Sequence, residues 1–400
     1  MAFRLGPGVM VAAAFIGPGT LTTATVTGAS SGLGLAWSLL FALVATVVLQ
    51  ELAVRSALST QRDLAALARE IGGPLWGRWL IAPLIVTAIG IGNAAYQSGN
   101  LTGAAVGLAT FFPDRFALLI LCLSAMAVAL ILTNCYRWLE RLLVALVIMM
   151  AVLFLGLAIA LLPDLLALSA DRLRPRWSHE DALLILALIG TTIVPYNLFL
   201  HATAARRKWE GCPLPIALRE ARLESCLAIS IGAGITLAIM VVATVLLEAP
   251  SDRPILEALI HQVEQRLPGM GGVLVAAGLF AAGCSSALAA PVAAGWAVCG
   301  ALGLATDESS KAFKFVAFIV LAVGASLALL ASKPQVLIVT AQATNAMLLP
   351  VVAVILLCIA NSSLVPQPWQ NGKLTNLLAA AIIALVIALA LVKLAALLPG

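Results

Sequence analysis

Residues 12–32 read AAAFIGPGTLTTATVTGASSG, and this stretch decides how the chain is understood. It lies in an apolar run long enough to cross a bilayer, yet Gly17-Pro18-Gly19 interrupts it. Threonines then follow at positions 20, 22, 23, 25 and 27. Breaking a helix in lipid frees backbone N–H and C=O groups that cost several kcal/mol each unless they find partners. Such a break persists where it lines a cavity, so the expectation is that this segment forms one wall of a binding site. Thr20, Thr23 and Thr27 fall on one helical face. Thr20, at the break itself, reads as a ligand contact. Thr23, Thr25 and Thr27 read as small residues for close helix packing, with hydroxyls returned to the backbone.

The rest of the chain agrees with a bilayer setting. Of 400 residues, 62% are hydrophobic and 10% are charged, with a mean hydropathy of +1.09. A soluble domain carries about a quarter charged residues. The net charge of +5 is small for the length, and the basic residues are scattered among loops, which argues against a nucleic-acid-binding role. The 7 cysteines show no metal-finger spacing and read as small buried hydrophobes.

Eleven segments are long and apolar enough to span: 9–31, 35–54, 79–107, 116–134, 138–163, 181–203, 226–248, 271–302, 312–331, 336–360 and 374–398. The first runs directly into the second without a basic leader or cleavage site, so it is not a signal peptide. With the N-terminus inside, fifteen of the 23 Lys and Arg residues fall on the cytoplasmic side and eight outside. That asymmetry favours this orientation.

The break recurs in kind. In LALIGTTIVPYNLFLHATAARRKW (186–209), Gly190, two threonines and Pro195 interrupt the sixth span at mid-depth. Breaks in spans 1 and 6 predict two five-span halves related as an inverted repeat. These are repeat one at about 9–163 and repeat two at about 181–360, with 374–398 as an extra helix of a single transport domain. Two further polar sites lie at depth. Span 8 contains Cys284, Ser285 and Ser286, and span 10 places Gln342 and Asn345 one turn apart. A carboxamide in an apolar helix faces the bundle interior, as packing glue or as a ligand contact. No Asp or Glu lies at mid-depth in any span. His201 is the one membrane-embedded imidazole.

The two breaks, TTIVPYNLFLH (191–201), YRWLERL (136–142), the serine pair of span 8 and TQRDLAALAREIG (60–72) together resemble the Nramp family of divalent-metal transporters. The resemblance covers nearly the whole chain. It implies an all-α membrane protein with the LeuT-like fold of the APC superfamily, with eleven transmembrane helices and helices 1 and 6 broken. The family moves manganese or ferrous iron, usually with protons. Its functional residues do not carry over. The family's Asp-Pro-Gly-Asn break places an Asp and an Asn on the metal, where this chain has Gly17 and Thr20. Its Met-Pro-His run corresponds to Val194, Pro195 and Tyr196, although a later histidine is kept as His201. An acidic pair on the proton route corresponds to Gln97 and Asn100, and a span 8 glutamine to Cys284.

With those positions neutral, the free N–H ends of the half-helices favour a carboxylate or an uncharged polar solute. The expectation is therefore a secondary transporter working by alternating access on a small neutral or anionic solute. Gly17, Gly19, Thr20, Thr191, Val194, Tyr196, Asn197 and Asn345 would form its site, and no metal would bind. The alternative is a divalent-cation transporter for Mn2+, Fe2+ or Mg2+ using hydroxyl and carbonyl ligands; a further one is a non-transporting sensor. Ser285 and Ser286 resemble the hydroxyl pair of sodium-driven relatives, which makes Na+ the candidate coupling ion; no other cofactor is expected. No nucleophile–base pair is visible, so the chain is not expected to be an enzyme. A monomer in a bacterial inner membrane, with the N-terminus cytoplasmic, completes the reading.

Overall fold

The computed structural model describes residues 16–133, 137–178, 180–247 and 254–395, without the side chains of 74, 134–143 and 393–395. The first part of span 1 and all the side chains of the YRWLERL motif therefore lie outside the described residues. Among the described residues every regular element is helical, as hydrocarbon requires of any segment that is not part of a closed barrel.

The helices in chain order are α1 (Pro18–Ser31), α2 (Ala36–Thr60), a short amphipathic α3 (Leu64–Ile71) and α4 (Gly77–Ala109). Then come α5 (Phe116–Thr133), α6 (Arg137–Ala160), α7 (Ala182–Thr192) and α8 (Pro195–Lys208). They are followed by α9 (Leu214–Leu246), α10 (Ile255–Arg266) and α11 (Gly271–Leu302). The last are α12 (Lys311–Leu330), α13 (Pro334–Asn361) and α14 (Lys373–Ala395).

Among the described residues, 9 helices are long and apolar enough to cross a membrane, with α7 and α8 taken together as one. This differs from the eleven expected for two reasons. Only the 14-residue second half of span 1 is described, and the apolar part of α6 with described side chains is Val144–Ala160. The protein is a multi-pass integral membrane protein. Its inner helices are the most enclosed: the apolar stretch of α7–α8 is 89% buried, against 22% for α5. Helices α1, α4, α7–α8, α11 and α13 pack against one another, and α5, α12 and α14, the least buried spans, lie around the outside.

Small residues set how closely this bundle closes. A Cβ on Gly28 of α1 would lie 2.5 Å from the Met240 carbonyl oxygen of α9, and one on Gly283 of α11 2.6 Å from Ala104 Cβ of α4. The α4 helix contains π turns at Gly77–Ile81 and Val86–Ile91, local widenings that often accompany functional sites.

Two of the arginines that dilute the charge asymmetry have structural work. Arg172 Nη2 donates to the Ala29 carbonyl at 3.0 Å, at the carbonyl end of α1, where a cation complements the helix dipole. Arg176 Nη2 donates to Ser31 Oγ at 2.9 Å and to Asp181 Oδ1 at 3.2 Å. Both tie the segment before α7 to the end of α1.

Candidate functional site

The two breaks have the same construction. Gly17 (φ −92°, ψ 174°) and Val194 (φ −86°, ψ 122°) are extended residues. Each precedes a proline at the start of a half-helix, Pro18 and Pro195. The missing proline N–H costs nothing there, because that position has no intrahelical acceptor. The breaks also meet: Thr20 Oγ1 and Thr191 Oγ1 share a buried hydrogen bond of 2.8 Å across 171 residues of sequence.

Gln342 fills the junction between them. A Cβ on Gly19 would fall 2.1 Å from Gln342 Nε2, and one on Gly190 would fall 1.9 Å from the Gln342 carbonyl oxygen. Only glycine lets α1 meet this carboxamide and α7 meet the α13 backbone so closely. Gly99 of α4 borders the same amide, at 3.9 Å from an added Cβ. One turn along α13, Asn345 Oδ1 lies 3.3 Å from a Cβ placed on Gly92, the residue that directly follows the second π turn.

These groups are enclosed. Gln342 and Asn345 are 0% exposed and Asn197 2%. Neither amide atom of any of the three makes a hydrogen bond within the protein. A buried polar atom left unpaired costs about 1–3 kcal/mol, and native interiors hold few of them. Three such carboxamides, on α8 and α13, lie around one pair of helix breaks and leave their oxygens and nitrogens available to a ligand.

The other expected residues take different positions. Tyr196 packs edge-on against Tyr96 of α4, with ring centroids 5.5 Å apart and planes at 65°. The Tyr96 hydroxyl lies beside those of Tyr196 and Ser286, so Tyr196 is directed to the α4–α11 seam. Val194 is buried at the break. Ser285 Oγ donates to its own helix, to the Ala282 carbonyl at 3.1 Å, so the two serine hydroxyls diverge. Gln97 Nε2 donates to the Ala287 carbonyl at 3.2 Å, and Asn100 Nδ2 approaches Gln97 Oε1 at 3.5 Å. They form a neutral amide pair between α4 and α11. His201 Nε2 lies 3.3 Å from Ser225 Oγ of α9. The hydroxyls of Thr23, Thr25 and Thr27 are buried without a partner and so do not return to the backbone as the sequence led one to expect; that of Thr22 is likewise unpaired.

Among the described residues no three His, Cys, Asp or Glu side chains cluster so as to hold a metal ion. The buried charged residues with described side chains are Arg55 and Asp181. Asp181 precedes α7 and is held by Ser31, Arg176 and Ser178. The site therefore consists of neutral oxygen donors: hydroxyls, carboxamides and the last carbonyls of α7, which have no acceptor role left within their own helix.

Residues 8–396 match the family described as natural resistance-associated macrophage protein-like, Nramp. The chain belongs to the Nramp family. It is accordingly a transport protein and not an enzyme. Similar proteins include the divalent metal cation transporter MntH 1 of Pseudomonas aeruginosa, 26% identical over 308 residues, which span 73% of this chain and 68% of that one. The MntH of Xylella fastidiosa is 29% identical over 286 residues, spanning 69% and 59% of the two chains. The MntH of Mycobacterium tuberculosis is 28% identical over 297 residues, spanning 71% and 67%. In fold, the chain is similar to a point mutant of the manganese transporter of Eremococcus coleocola at a TM-score of 0.77 and 18% identity, over 98% of this chain and 86% of that one. It is more distantly similar to Mhp1, a nucleobase-cation-symport-1 transporter, at a TM-score of 0.56 and 12% identity, over 98% of this chain and 92% of that one.

These Nramp relatives overturn the expectation of a neutral or anionic solute. The physical reason lies in the other end of the second break. The N–H ends of the half-helices favour anions, but α7 (Ala182–Thr192) presents carbonyls of opposite sign to the same place. Carboxamides that can turn their oxygens inward add to that negative side.

Proposed function

We propose that this chain carries a divalent metal cation across the membrane by alternating access, using neutral oxygen ligands in place of a carboxylate and a thioether. The observation that carries the reading is the set of buried, unpartnered carboxamides of Asn197, Gln342 and Asn345 beside the two broken helices. Family membership supplies the cargo class, since the similar proteins are divalent metal cation transporters. Gln342, Asn345, Asn197, Thr20, Thr191 and the backbone at Gly17 and Gly19 are the proposed contacts. Val194 is buried at the second break beside them, and Tyr196 packs behind it against Tyr96.

Hard divalent cations take oxygen ligands, and they keep part of their water where anionic ligands are few. A site of this composition would pass a partly hydrated cation and discriminate weakly in favour of soft metals. The Gln97–Asn100 pair offers no titrating group, so metal movement is proposed to run without a proton carried along that seam. The reading includes eleven spans in a five-plus-five repeat with one added helix, a cytoplasmic N-terminus, and a monomer in a bacterial inner membrane.

The test is manganese entry into proteoliposomes, followed by quenching of an enclosed dye, with magnesium and ferrous iron measured alongside. Saturable entry that is indifferent to a protonophore is expected. Replacing external sodium with potassium in the same assay reads whether Ser285 and Ser286 contribute to coupling. Folded, correctly inserted protein that admits none of the three metals would overturn the proposal.

A further inference from the structure

A second site lies where α2, α9 and α14 meet at the membrane surface. Glu51 of α2 serves two guanidinium groups. Arg55 Nε donates to its Oε1 at 2.9 Å, and Arg222 Nη2 of α9 donates to the same oxygen at 2.6 Å. Arg55 is also anchored inward, to the Trp369 carbonyl and to Asn371 Oδ1. Two positive groups against one carboxylate leave one positive charge in excess. Arg222 is the outer of the pair, with its side chain 49% exposed against 7% for Arg55.

This cluster forms the wall between two adjoining cavities. One of about 450 Å³ is bordered by the cluster, by Trp369 and Gln370 of the connection before α14, and by Thr375 and Leu378 of α14. The other, about 170 Å³, runs between α2 and α9 along Val47, Val54, Leu218 and Ala221 and is almost wholly apolar. Val47, Glu51 and Arg222 belong to both. The flanking helix surfaces carry exposed Leu223 and Leu227 on α9 and Leu374 and Leu377 on α14, as hydrocarbon-facing surfaces do. Arg206, Arg207 and Lys208 end α8 immediately before the turn into α9, so they stand on the same side of the membrane.

From this arrangement we infer that the paired cavities bind an anionic phospholipid, its phosphate beside Arg222 and one acyl chain in the trough along Val47 and Leu218. A positive pocket between helices at the basic membrane face suits an anionic headgroup. A zwitterionic lipid brings no net charge to offset the excess cation, and a free phosphate leaves the apolar trough unfilled. A lipid seated here would bridge α14 and its preceding connection to α2 and α9.

The experiment places the wild-type protein in nanodiscs containing equal phosphatidylglycerol and phosphatidylcholine, then counts retained lipids by native mass spectrometry. Phosphatidylglycerol should be retained over phosphatidylcholine by about fivefold, the ratio expected for one basic group at an anionic surface. R222Q should bring that ratio close to one, while K311Q, remote from both cavities, should keep it. Equal retention of the two lipids by the wild type, or an unchanged ratio in R222Q, would overturn the site. Displacement by soluble glycerol 3-phosphate alone would overturn its assignment to a lipid. If R222Q does not fold, V47W fills the trough with the charge cluster intact. Loss of retained phosphatidylglycerol in V47W supports the site, and unchanged retention refutes it.

Discussion

Replacing Gln342 with leucine separates a ligand-binding carboxamide from a structural one. In the structure both amide atoms of Gln342 are buried and unpaired, although the side chain lies against Gly19 and Gly99. A carboxamide that glued helices together would have partners, and its loss would destabilise the fold. An unpaired one costs about 1–3 kcal/mol in the empty protein, and an apolar side chain of similar reach removes that cost. Gln342→Leu is therefore expected to stabilise the metal-free protein by about 1–3 kcal/mol. At about 2.1 cal/mol/K per residue, a chain of 400 residues would show this as a rise in Tm of roughly 1–4 °C. The same change removes an oxygen facing a cation, a contact of about 1.5–3 kcal/mol. Manganese flux at low concentration should then fall by about 10- to 100-fold. The assays are thermal unfolding in detergent by intrinsic fluorescence, and dye-quench flux in proteoliposomes. A lowered Tm together with undiminished flux would refute the reasoning, because Gln342 would then be packing and not a ligand.

Three other perturbations probe the same chemistry and the outer face. Val194→Met restores a soft donor at the second break and should tighten cadmium competition against manganese flux on the order of tenfold, about 1.4 kcal/mol. Equal inhibition by cadmium in both proteins would place residue 194 away from the ion. Gly17→Asp with Thr20→Asn adds anionic charge at the first break and should tighten manganese binding by roughly tenfold, since ligand charge count tunes divalent affinity; calorimetry showing no gain would mean that the break does not face the cation. At the turn between α10 and α11, Glu264 accepts from the backbone N–H of Gly269 and, at 2.8 Å, of Gly272. Those two bonds, that from Gly272 foremost, hold its carboxyl below the ordinary value of 4.5. A depressed carboxyl contributes stability above its ordinary value and loses it as pH falls through the folded value. Glu264→Gln should therefore flatten the acid limb of stability measured below about pH 4.5, and an unchanged limb would remove Glu264 from that role.

The sequence by itself determined the setting, the helices and the positions of the breaks. Composition assigns the chain to a bilayer, where only helices and closed barrels satisfy the backbone, and apolar runs of about 20 residues have the length of a helix. Gly17-Pro18 and Val194-Pro195 are legible for the same reason: glycine and proline act on the backbone at their own positions, and both breaks became an extended residue followed by a half-helix. The family resemblance rested on such local features and held. The cargo was misread, because the charge lost at Gly17 was weighed against the N–H ends of the half-helices alone. Only the tertiary structure decided which polar side chains share a site. Gln342 and Asn345 stood out as amides in an apolar helix, but whether they had partners depended on residues far along the chain. Thr20 met Thr191, Tyr196 turned to Tyr96, and Gln342 settled unpaired between Gly19 and Gly190. Hydrogen-bond partners act over about 3 Å in space and at no fixed spacing in sequence, so no pattern along the chain could have sorted the ligand-facing amides from the packed ones.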